Sequence, residues 1–132
     1  MELFGWGPGV YPRMLNRTIA AAALLFFAFA AFAADAPLTR VESKQVCMIN
    51  EHHMKSDQIP VEVDGKTYYG CCAMCKKALA EKPETRVATD PLSGKQVDKA
   101  VAVIAADAEG KVYYFENAKN LEKYNEKAAA KK

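Results

Sequence analysis

A chain of 132 residues has room for one domain or for two very small ones. Its 51% hydrophobic and 26% charged residues are ordinary for a globular protein, and a formal net charge of only +2 implies no broad basic face for nucleic acid.

The chain opens with "MELFGWGPGVYPR", residues 1–13, which is unusual as the start of a targeting signal. "MLNRTIAAAALL" from Met14 reads as a complete signal start, so residues 1–13 are expected to be an extension upstream of the true start. Ile19–Ala34 then runs without a charge, with Arg17 before it and Asp35 after it, which is the layout of a secretory signal peptide. "AFA" at Ala31–Ala33 offers an A-x-A cleavage site. Residues 1–33 are therefore read as the signal peptide and Ala34 as the first mature residue. The apolar run spans 16 residues, against about 20 for a membrane helix, so an uncleaved anchor is the alternative. No cysteine follows the run closely, which argues against a lipid attachment. The expectation is a periplasmic or secreted protein, with no membrane association once the signal is cleaved.

Residues 34–44 are expected to form a short flexible lead. Two segments of similar grammar follow, at 45–83 and 84–127. In the first, the apolar strand "IPVEV" (Ile59–Val63) leads through Asp64-Gly65, a strong two-residue hairpin signal, to a strand carrying Tyr68 and Tyr69. A helix is predicted over Cys72–Lys82, closed by Pro83. "EKPETRVATDPLSGK", Glu81–Lys95, reads as the linker between the copies because of its prolines and glycine. In the second copy, "KAVAVIAA" (Lys99–Ala106) and "DAEG" lead to "GKVYYF" (Gly110–Phe115), the counterpart of "GKTYYG" (Gly65–Gly70). A helix is predicted from Ala118 to about Lys127, with Asn117 as N-cap. Residues 128–132 are expected to be a disordered tail. The fold class is α+β, with two small β-hairpin-plus-helix units packed together. Strand alternation puts one tyrosine of each pair under its helix and the other at the rim, a packing role preferred over base stacking.

Four cysteines occur, three of them within "YYGCCAMCKKAL" as Cys71, Cys72 and Cys75, and Cys47 well upstream. Cys71 and Cys75 are four apart and share a helix face, and Cys72 and Cys75 are three apart and are also neighbours. A helix N-terminus favours thiolates, and a soft metal ion needs thiols that are easily deprotonated. Cys47 can close such a site from the other side. "CMINEHHMKSD" places His52 and His53, flanked by Met48 and Met54, just behind Cys47. These are either supporting ligands or a solvated loop with a methionine tucked into the core.

Cys47, 23 residues, Cys71, three residues and Cys75, after an aromatic strand, resembles the TRASH domain, a heavy-metal-binding module related to the YHS domain. The second copy, with "DPLSGKQV" and "GKVYYFENAKNLEKY", is similar to a YHS domain that has lost its ligands. Ser93 stands where such domains carry a cysteine, and Glu116 and Asn120 stand at the other ligand slots. The resemblance implies a treble-clef-related fold and one bound thiophilic ion, Cu(I) or Zn2+, on Cys47, Cys71 and Cys75. Cys72 lies outside that three-cysteine pattern and is either a fourth thiolate or a small buried hydrophobe. Asn50 takes the slot where related zinc modules carry a second cysteine, which departs from a closed four-thiolate zinc site. Metal trafficking, scavenging or resistance is the role implied, with a metal-transport or resistance protein as partner. The second copy is then either a structural half or a docking surface.

Two other readings of the cysteines stand beside this one. Two disulfides would be common in an exported chain of this size, though tight clustering is a poor use of disulfides because short loops gain little chain entropy. "CAMC" is also a C-x-x-C at a helix start, but the βαβ pattern of a thioredoxin-type oxidoreductase is missing. No nucleophile motif, HExxH or phosphate-binding loop is present, so no enzyme is expected.

Overall fold

The computed structural model describes residues 36–131. The segment read as a signal peptide lies outside them, so its cleavage and the export it implies do too. In chain order the elements are β1 (Thr39–Arg40), a 3-10 turn (Ser43–Gln45), β2 (Val46–Cys47), β3 (His52–His53), β4 (Ile59–Val63), β5 (Lys66–Gly70) and α1 (Ala73–Glu81). A second 3-10 turn (Pro83–Arg86) leads to β6 (Val87–Thr89), β7 (Gln96–Asp98), β8 (Val103–Ala106), β9 (Val112–Phe115) and α2 (Ala118–Ala130). The class is mixed α and β with small sheets. The same series occurs twice: a short knuckle hairpin, a longer hairpin, then a helix.

Each hairpin follows from its residues. Asp64 and Gly65 both take positive φ, 52° and 74°, the two-residue turn whose twist matches paired strands. That turn sets the β4–β5 register, in which Val61 faces Tyr68 and both are buried. In the second copy Ile104 faces Tyr114 and Ala106 faces Val112, and all four are buried. Helix α1 buries Cys75 and Leu79, four residues apart on one face. The Thr85 hydroxyl donates to the Lys82 carbonyl just past α1, and the Arg86 guanidinium donates to the Leu79 carbonyl in its last turn.

One core joins the two copies. Val46, Met48, Val61, Tyr68 and Leu79 come from the first, and Val97, Ile104, Ala106, Val112 and Tyr114 from the second. Full burial of such a side chain contributes about 1.5–3 kcal/mol, so each copy covers apolar surface that the other would otherwise expose. A smaller cluster, Leu38, Ala105, Phe115 and Leu121, lies on the other face of β8–β9. The buried tyrosine differs between copies: Tyr68 leads its pair and Tyr114 closes its own. Each pair therefore buries one ring, but on opposite strand parities.

Three expectations are corrected. Residues 34–44 are not a flexible lead where they are described. Thr39 and Arg40 pair with Ala106 and Ala105 of β8, making a three-stranded sheet β1–β8–β9. Leu38 is buried, and Asn125 of α2 accepts from its N–H and donates to its carbonyl. Glu81–Lys95 is not a bare linker either. It carries β6, which pairs with β7, and its Pro91 and Gly94 belong to the turn of that hairpin. Finally, α2 continues past Lys127 to Ala130, because Ala128 lies one heptad after Leu121 and is buried on the same face.

Candidate metal centre

Cys47 ends β2, and Cys71 and Cys72 follow β5 immediately before α1. Cys75 lies in the first turn of α1. Hairpin β4–β5 returns the chain to the β2–β3 knuckle, where the Met48 N–H donates to the Tyr69 carbonyl at 2.9 Å. That bond holds Cys47 against the strand-to-helix junction. Cys75 Sγ then lies 3.9 Å from Cys47 Sγ and 3.7 Å from Cys71 Sγ. The three sulfurs all fall within 4.8 Å of one another and form a group able to hold a metal ion. Three thiolates bonded at about 2.3 Å stand roughly 3.8 Å apart in tetrahedral geometry and roughly 4.0 Å apart in trigonal geometry. The two separations that Cys75 makes are close to that spacing.

The junction is tight because of Gly70. A Cβ there would come within 2.9 Å of Cys75 Cβ and 3.2 Å of its backbone carbon. The second copy has Phe115 at this slot, fully buried and edge-on to Tyr124. Glycine thus lets β5 approach α1 in the copy that carries the thiols. Gly70→Ala is expected to push Cys75 away from Cys47, costing about 1–3 kcal/mol of stability by overpacking and weakening metal uptake. Denaturant unfolding paired with a metal titration checks both.

Neighbouring dipoles divide the thiols into unequal pairs. Burial opposes ionisation of Cys47, but the N–H groups of Asn50 and Ile49 and the Cys71 side chain outweigh it and hold its pKa below the ordinary thiol value. Cys75 is pushed up to about 12, first by burial and then by hydrogen bonding with Cys72 and Cys71. Cys47 is therefore more readily ionised than an ordinary thiol, and Cys75 less readily. An ion entering the site must displace the Cys75 proton, so affinity should rise with pH.

Cys72 stands apart from the three. It is the N-cap of α1, not its first turn, and it is exposed, which overturns the option of a small buried hydrophobe. Its Sγ is 3.4 Å from Cys75 Sγ. Hydrogen bonding with the Cys75 N–H and side chain lowers its pKa. All four cysteines are free thiols, so the fold closes without a staple.

Neither histidine belongs to the three-sulfur group. His52 pairs with Cys47 through the backbone, and its exposed ring lies over Gly110, where an added Cβ would sit 2.7 Å from Cε1. The His53 N–H donates to the Gly110 carbonyl at 2.7 Å. Met48 is fully buried in the shared core, the packing role considered for it.

Two residues bear on the site that motif reading did not single out as functional. In the sequence Asn50 stands only in the slot of a missing cysteine. Its Nδ2 donates to Cys71 Sγ at 3.3 Å and its N–H to Cys47 Sγ at 3.5 Å, so it supplies donors where a fourth thiolate would stand. Lys99 is 4% exposed. Its Nζ donates to the Met48 carbonyl and to Glu51, both at 2.8 Å, and lies 5.3 Å over the Tyr114 ring. The Val112 N–H donates to the Glu51 carbonyl. The second copy thus grips the knuckle that carries Cys47. A lysine in a strand-and-turn segment reads by default as solvated, so no sequence signal marked it.

The second copy shows what replaces the thiols. Asp90 follows β6 as Cys47 ends β2, and each accepts from the N–H three residues on, Ser93 and Asn50 respectively. Glu116, Asn117 and Asn120 match Cys71, Cys72 and Cys75 in the aligned repeat. Asp90 Oδ2 accepts from Asn120 Nδ2 at 2.8 Å and from the Glu116 N–H at 2.9 Å. Asn117 caps α2 through its side chain. Direct hydrogen bonds thus join the same three places that carry sulfur in the first copy.

No family profile, no curated protein and no solved structure matches the chain. The likeness to TRASH and YHS domains is therefore carried by the motif residues themselves.

Proposed function

We propose that this protein is an exported, non-enzymatic binder of one thiophilic metal ion, held by Cys47, Cys71 and Cys75 in a TRASH-like unit. The observation that carries the reading is the set of three sulfurs lying within 4.8 Å of one another, two of them buried. Three thiolates suit Cu(I) in trigonal geometry, or Zn2+ with one further ligand. Cys72 lies outside the three-sulfur group at its exposed edge, where water can complete the coordination of Zn2+, and His52 and His53 lie on the adjoining strand. The apolar run at Ile19–Ala34 supports export to the periplasm or beyond. Among the described residues no helix is long and apolar enough to cross a membrane. A site at the junction of a strand and a helix, with an exposed thiol at its edge, suits exchange of the ion with a metal-transport or resistance protein. Scavenging and delivery are both served by that exchange. In this reading the second copy is the structural half that holds the Cys47 knuckle.

The test is metal analysis of protein purified without air, as wild type and as the Cys71→Ser plus Cys75→Ser double variant. The wild type should carry one equivalent of zinc or copper after loading and dialysis, and the double variant almost none. Equal stoichiometry in the two proteins would refute the assignment.

A further inference from the structure

Cys72 is the one cysteine that the three-sulfur group does not require, and it is the best placed to disable that group. Its Sγ lies 3.4 Å from Cys75 Sγ, closer than Cys71 at 3.7 Å or Cys47 at 3.9 Å. A disulfide needs about 2.05 Å, so the C-x-x-C pair closes with a shift of the two side chains at the helix start. Access singles out the same pair. Cys72 is exposed along with its neighbours Ala73 and Met74, whereas Cys47 and Cys75 are 0% and 6% exposed. Cys71 is half-buried and is engaged by Asn50 Nδ2. An incoming disulfide meets Cys72 first.

We propose that Cys72 and Cys75 are a redox modification site that closes the metal site when the chain is oxidised, a regulation that rests on the metal-binding reading above. The oxidant is a low-molecular-weight disulfide of the glutathione class. Cys72, as its thiolate, attacks one sulfur of that disulfide. The external S–S bond breaks, a mixed disulfide forms on Cys72, and one small thiolate leaves and takes up a proton. Cys75, giving its proton to solvent, then attacks the Cys72 sulfur and expels the second small thiolate. Two protein thiols are oxidised to one disulfide, and one external disulfide is reduced to two thiols.

The consequence follows from which sulfur is consumed. Cys75 is the sulfur in contact with each of the other three. Its loss leaves only Cys47 and Cys71, too few donors for a three-thiolate site. The coupling is reciprocal: an ion bound through Cys75 must protect the pair from oxidation by the same factor that oxidation weakens the ion.

The experiment uses the full chain, reduced without air, with and without one equivalent of Zn2+, in buffers of glutathione and glutathione disulfide. Zinc is chosen because it cannot itself oxidise thiols. Peptide mapping locates the bridge, and a chromophoric chelator reads the zinc. The ion-free chain should form a Cys72–Cys75 bridge, bind zinc roughly ten-fold or more weakly once bridged, and recover with reductant. Bound zinc should retard the bridge. Cys72→Ser and Cys72→Ala should keep zinc in the same buffer. A bridge mapped to Cys47 or to Cys71 would overturn the proposal, as would loss of zinc from the Cys72 variants at the wild-type rate. A reduced wild-type chain that takes up no zinc overturns the metal reading instead, and the bridge map then decides the redox pair alone.

Discussion

Replacing Cys75 alone with serine is expected to weaken metal binding more than any other single change in the cluster. A four-ligand zinc site is worth about 10–16 kcal/mol, so one ligand is worth about 2.5–4 kcal/mol. At about 1.4 kcal/mol per factor of ten, that is a loss of roughly a hundred- to a thousand-fold. Cys47→Ser should approach the same loss, because Cys47 is buried and its sulfur already gathers backbone N–H groups. Cys72→Ser under reducing conditions should change affinity far less, since its exposed sulfur lies outside the three-sulfur group. His52→Ala should also be mild, because that ring lies over Gly110. A competition titration against a chelator of known affinity, run on all four variants, gives the order directly. A loss in the His52 variant equal to that of Cys75→Ser would move the site toward the β2–β3 knuckle. The pH profile adds a second check. Cys75 is pushed up to about 12, so its proton must be displaced on binding, and wild-type affinity should rise with pH through neutrality.

The cluster was legible because its signals are local. Cys71 and Cys75 are one helical turn apart, and the cysteine-free repeat marks them as additions to a scaffold. Asp64-Gly65 likewise announces its own hairpin, and the structure forms it over the expected strands. What escaped reading depends on partners distant in sequence. Thr39 and Arg40 have no apolar pattern, and they become a strand because β8 offers an unpaired edge. Glu81–Lys95 looks like a linker because Pro83, Pro91 and Gly94 are turn residues, but Pro91 and Gly94 sit between strands of only three residues each. Ala128 follows a run of polar residues, and only its packing shows that the helix continues. Asp90 and Lys99 are the sharpest cases. A charged residue reads as solvated by default, and both are buried because their hydrogen-bond partners come from elsewhere in the chain.

Asp90 carries the second large expectation. It is 0% exposed, and its carboxylate accepts four hydrogen bonds: from the N–H groups of Leu92, Ser93 and Glu116 and from the Asn120 amide. Burial raises its pKa, but those donors, Asn120 first, outweigh burial and hold it below the ordinary carboxylate value. Asp90→Ala would leave all four donors without their acceptor. An unsatisfied buried group costs about 1–3 kcal/mol, and water can reach some of these, so the net loss should be about 3–5 kcal/mol. For a domain of this size that lowers Tm by roughly 12 °C or more. The acid limb of stability should change as well. A carboxylate whose folded pKa is depressed stabilises the fold fully above its unfolded value of about 3.9, and that contribution is lost as pH falls through the lower folded value. Wild-type stability should therefore drop on acidification below about pH 4, and the Asp90→Ala curve should be flatter there. Thermal unfolding of the reduced, metal-free chain between neutral and acid pH reads both effects. If Asp90→Ala melts with the wild type, the second copy does not depend on this hydrogen-bonded junction. If it melts early, Asp90, Glu116 and Asn120 close with hydrogen bonds the strand-to-helix joint that thiols occupy in the first copy. A copy that closes without thiols can then hold the Cys47 knuckle in place whatever the state of the cysteine cluster.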